Sequence, residues 1–101
     1  MTKNENLLVT LMEECAEVQQ AVSKVVRFGA NNHNPVTPQQ TNEKEVLTEY
    51  HQLVAVMEML IDEGVFTQLS HEKIAKIKAD KKLNVRRHQD ISSAAGCIRE
   101  W

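Results

Sequence analysis

Apolar residues return at steps of three and four along three stretches of this chain, and each stretch predicts a helix. In the first, residues 7–28, the side chains of Leu8, Leu11, Cys15, Val18, Val22 and Val25 trace one stripe, and Gly29 supplies a left-handed stop. The second covers residues 43–63, with Asn42 as cap and Glu45 three places later in a capping-box arrangement, and ends at Gly64. Its apolar arc, from Val46 through Tyr50, Leu53 and Val56 to Leu60 and Ile61, covers more than half the circumference, so cover is expected on more than one side. The third covers residues 70–88, capped by Ser70, with Ile74, Ile77 and Leu83 facing in and lysine on most of the rest.

The stretches between are polar. Residues 1–6 form a lead-in, and residues 29–42 hold both prolines among Asn, Thr and Gln, which is loop chemistry. A loop of that length in a small domain is usually functional or mobile. The tail, residues 89–101, is weakly patterned, with Ile91, Ile98 and Trp101 available to dock it. No segment alternates as a strand would. The expected fold is all-α: a single domain over residues 1–101, an antiparallel bundle of three to four helices.

A chain of 101 residues buries only ~65% of its unfolded surface. So thin a core is expected to be completed by oligomerisation, as a homodimer or tetramer. The net charge of −2 excludes little, but its distribution is uneven. Through Ser70 there are four Lys/Arg against ten Asp/Glu; from His71 onward there are eight against four. Two cysteines make no disulfide framework, and Cys15, on the apolar stripe, is expected to be a buried free thiol. No apolar run approaches membrane-spanning length and MTKNEN has no signal-peptide character, so a cytoplasmic protein with no membrane partner is expected.

The candidate chemistry is carboxylate chemistry. Glu14 and Glu17 are three apart and therefore neighbours on one helical face, with Glu13 beside them. Glu49 lies inside the second helix's apolar arc, where a carboxylate is costly unless something neutralises it, and Gln52 repeats the three-residue spacing. If the two helices run antiparallel, the pairs face each other as a cage of oxygen ligands, suited to Mg²⁺ with Mn²⁺ as substitute. Lys24 and Arg27, further along the first helix, would take phosphate oxygens beyond the metal. The plainer readings are a solvated acidic face for Glu13 and Glu17, an ion pair with a partner chain for Glu49, and dipole-countering cations for Lys24 and Arg27.

The stretch EECAEVQQAVSKVVRFG, followed by Glu49 on the next long helix, resembles the all-α nucleoside triphosphate pyrophosphatases of the MazG-like kind. The resemblance covers roughly residues 7–64. It implies an E-x-x-E pair at Glu14 and Glu17, extended by Glu13, and an E-x-x-D pair beginning at Glu49, together binding Mg²⁺. Ser23 to Gly29 is similar to compact, single-domain members, many of them encoded by phages. The implied activity is hydrolysis of an NTP or dNTP to monophosphate and pyrophosphate, with Glu14 or Glu17 acting on the water. Gln52 stands where the family has Asp; it offers a carbonyl oxygen but no charge and no base. That departure admits an alternative, a non-catalytic nucleotide-binding or regulatory relative.

Two other classes are disfavoured. The basic back half would suit nucleic acid, but no helix-turn-helix signal accompanies it and the acidic front opposes it. A carboxylate di-iron bundle needs Glu-x-x-His pairs, and no glutamate here has His three places on. The pocket that selects a base is expected to draw on the Gly29 to Thr41 loop and the third helix. His33 in that loop is more simply a solvent-exposed side chain than a contact to the base.

Overall fold

The computed structural model describes residues 1–99, and its regular elements are helices: α1 (Lys3–Phe28), α2 (Asn42–Asp62) and α3 (His71–Ala94). An isolated antiparallel bridge joins His33 and Thr41. The all-α expectation holds. Where the sequence suggests one domain, the chain divides into two compact units, Met1–Thr67 and a second from Gln68 onward. Trp101, the apolar end of the tail, lies outside the described residues.

In the first unit, α1 begins four residues earlier than its apolar pattern suggests. Thr2 and Glu5 form a reciprocal capping box: the Glu5 backbone N–H donates to Thr2 Oγ1 at 3.1 Å, and the Thr2 N–H donates to Glu5 Oε1 at 3.2 Å. Two otherwise unsatisfied donors are met, so the polar lead-in becomes helix. At the other end Gly29 takes φ 91° and its N–H closes on the Val25 carbonyl at 2.9 Å, a backbone angle that favours glycine.

Helices α1 and α2 pack antiparallel as a hairpin. Buried Ala21, at 1% exposure, sits on α1, while Val56 and Leu60, at 9% and 0%, supply α2's side of the core. The inward seam of α1 is rotated from the expected one. Leu7, Leu11, Glu14, Val18, Ala21 and Val25 are its partly or wholly buried positions, whereas Leu8, Cys15 and Val22 are exposed. The expectation of a buried thiol at Cys15 is therefore corrected. Both seams satisfy a three-four rhythm, and the one that wins carries Glu14 into the interface.

The cap of α2 is Thr41, not Asn42: Thr41 Oγ1 accepts the Lys44 N–H at 3.2 Å. The two donors before it are met by the loop, since Asn42 N–H reaches the Asn32 carbonyl at 2.8 Å and Glu43 N–H the Ala30 carbonyl at 3.0 Å. Asn42 itself is 6% exposed, its Nδ2 donating to the Gly29 carbonyl at 3.0 Å. The long loop is thus strapped to the helix it precedes.

In the second unit α3 is capped by Ser70, as expected, with Ser70 Oγ accepting the Lys73 N–H at 3.1 Å. It continues past residue 88 to Ala94, because the chain meets no helix breaker until Gly96 takes φ 79°. The first six residues of the segment expected as tail, 89–94, are therefore helix. No side chain of α3 is buried. No helix among the described residues is long and apolar enough to cross a membrane.

Candidate metal centre

One turn of α1 places Glu14 on the buried seam and Glu17 beside it, and the antiparallel approach of α2 brings Glu49 to both. One carboxylate oxygen from each of the three lies within 4.8 Å of the others. Glu14 and Glu49 are half-buried and Glu17 is exposed, so the group opens to solvent on the Glu17 side. The Oε2 atoms of Glu14 and Glu49 are both buried and have no hydrogen-bond partner. Such atoms have given up water without replacement, an arrangement that a bound cation or proton relieves.

The electrostatics agree with the geometry. The Glu49 carboxyl is pushed above its ordinary value of 4.5 by desolvation, then by hydrogen bonding to and charge repulsion from Glu17, and then by the charges of Glu14 and Glu45. Each of these disfavours a second or third negative charge in one small volume. Lys24, a cation of the same hairpin, is committed to another carboxylate. Lys24 Nζ contacts Glu45 Oε1 at 2.9 Å, with both side chains part-buried. Among the described residues the one other ion pair is Lys76 with Asp80 on α3. Three hard oxygen donors, an uncompensated charge and two unpartnered buried oxygens fit Mg²⁺ or Mn²⁺.

The remaining candidates fall around this group. Glu13, about 100° round the helix from Glu14, is exposed and does not join the cluster. Gln52 is exposed and lines an open groove on α2 with Lys44, Leu47, Thr48 and His51. Arg27 is exposed in the last turn of α1 and forms no ion pair among the described residues. Two roles escaped the sequence reading: Glu45 as the anchor of Lys24, and Asn42 as a buried bridge between the two helix ends. The residues carry no signal for the Asn42 role, since an amide at a helix start is more often an exposed cap than a buried donor. Against known proteins, no family model, no curated protein and no solved structure matches this chain.

Proposed function

We propose that the protein is a Mg²⁺-dependent nucleoside triphosphate pyrophosphohydrolase, converting an NTP or dNTP to the monophosphate and pyrophosphate. The observation that carries the reading is the convergence of Glu14, Glu17 and Glu49 with two buried oxygens left unpartnered. The resemblance of EECAEVQQAVSKVVRFG to MazG-like enzymes, which shares Glu14 and Glu17 with that cluster, is in keeping with it. Glu14, Glu17 and Glu49 would hold the ion, while Glu13 stays outside the cluster and Gln52 lies exposed on an open groove of α2. Bound Mg²⁺ supplies neutralisation of the triphosphate and a more acidic water.

The chain's own residues divide the remaining work. Glu17, the most open of the three, and Glu14 are the candidates to orient or deprotonate the water that attacks the α-phosphorus. Lys24, fixed by Glu45, and Arg27, unpaired among the described residues, lie further along α1 and take phosphate oxygens. Exposed Met12, Val22 and Val26 on α1, and Leu47, Tyr50 and Met59 on α2, support assembly as a homodimer or tetramer. The substrate is free nucleotide in the cytoplasm, not nucleic acid.

Incubation with each natural NTP and dNTP plus Mg²⁺ should yield monophosphate and pyrophosphate. Glu17→Gln should lower turnover by about a hundredfold or more, the scale of a lost general base. Absence of turnover with every nucleotide would reject the enzyme. A second reading, a non-catalytic nucleotide-binding or regulatory relative, rests on Gln52, which is neutral where a fourth carboxylate would complete the set. Tight binding of a non-hydrolysable triphosphate without turnover would select it.

A further inference from the structure

At the closed end of the hairpin lies a cleft of about 380 Å³ whose lining includes Lys24, Phe28, Asn32, His33, Asn34 and Asn42. Its composition is unlike that of the metal centre: no carboxylate lines it, and it combines aromatic rings with amides. Asn42 is nine-tenths buried, and because its Nδ2 is committed to the Gly29 carbonyl its Oδ1 is left as a fixed acceptor. His33 Nδ1 lies 3.1 Å from the Asn34 carbonyl, which can only accept, so this contact orients the ring and leaves Nε2 free for a ligand. Asn32 and Asn34 spend their Oδ1 atoms on the backbone N–H groups of His33 and Val36, each at 2.9 Å, which leaves their Nδ2 donors. Phe28 is 59% exposed, a large apolar ring at a site where helix would ordinarily present something polar.

A pocket that combines two aromatic rings with amides held by backbone bonds at Asn32, Asn34 and Asn42 suits a planar heteroaromatic ring. Lys24 belongs both to this cleft and to the helix that carries Glu17. Seven residues separate them, about 10 Å of helix, so one extended molecule can occupy both places. We infer that this cleft receives the base of the nucleotide, with its phosphates directed along α1 past Lys24 towards Glu14, Glu17 and Glu49. The inference rests on the proposed function for the phosphate end, while the cleft can be tested apart from it.

The test is amide chemical-shift mapping of the ¹⁵N-labelled protein titrated with AMP, GMP, CMP and UMP, and with ribose 5-phosphate as a control lacking a base. At least one monophosphate should shift Asn32, His33, Asn34 and Asn42, and ribose 5-phosphate should not. Phe28→Ala and His33→Ala should each weaken that monophosphate by about tenfold, the scale of one lost base–aromatic stack. In a parallel titration, Mn²⁺ should broaden Glu14, Glu17 and Glu49 equally in wild type and in both variants. The inference is overturned if no monophosphate shifts the cleft, if ribose 5-phosphate shifts it equally, or if both variants bind as wild type does. Failure of Mn²⁺ to broaden the carboxylates would instead remove the metal centre and the proposed reaction, leaving the cleft to be judged by its own titration.

Discussion

The α1–α2 hairpin and α3 are both long, well-capped helical structure, yet they stand for different physical reasons. In the hairpin, Ala21, Val56 and Leu60 are buried, and two glutamates are drawn in with them. Helix α3 has no fully buried residue among its 24 and carries seven Lys and Arg side chains. Its helicity draws on length, a Ser70 cap, good helix formers and the Lys76–Asp80 pair at 2.9 Å. Charge is harmless where every side chain reaches solvent, and becomes a source of binding energy only where packing withholds that solvent. The acidic group of the hairpin has chemical potential because it is half-buried; the more numerous charges of α3 are screened.

Leu60→Ala gives the sharpest test of this contrast. It should cost about 2–5 kcal/mol in urea unfolding, as a fully buried leucine does, whereas Leu83→Ala on α3 should change stability by no more than about 0.5 kcal/mol. Equal losses would erase the distinction. Next comes Glu49→Gln in metal-free protein. Because the folded protein raises the Glu49 pKa above 4.5, the stabilisation from its proton is complete below that value and fades as pH rises through the raised one. The variant, permanently neutral there, should melt higher than wild type at neutral pH and lose part of the pH slope above pH 4.5. Added Mg²⁺ should raise the melting temperature of wild type and leave the variant nearly unmoved. The smallest effect belongs to Lys76→Ala, about 0.2–0.5 kcal/mol, read by helical signal at low salt and vanishing at high salt.

Much of this was legible in the residues. Apolar rhythm found all three helices, and the i, i+3 spacing of Glu14 and Glu17, with Glu49 in an apolar arc, anticipated the convergence of the three. Rotation about α1 was less accessible. Two seams one residue apart fit the same period, and only the position of α2 decides that Glu14, not Cys15, turns inward. The capping box at Thr2 and Glu5 was present in the residues but masked by the polar company around it. At α2, Asn42 and Glu45 imitated a box; Thr41 caps instead because loop carbonyls from distant positions already meet the donors of Asn42 and Glu43. Tertiary bonds of that kind leave no trace in local composition. Nor does the ion pair of Lys24 with Glu45, made between residues 21 apart.

Those loop carbonyls have one more consequence. Because Ala30 and Asn32 terminate the hydrogen-bond ladder of α2, the segment around His33 and the first turn of that helix form one mechanical piece. Pulling the segment outward strips two amides of their partners and frays the turn bearing Glu45, which steadies Lys24 one link further on. The hairpin's closed end therefore behaves as a latch.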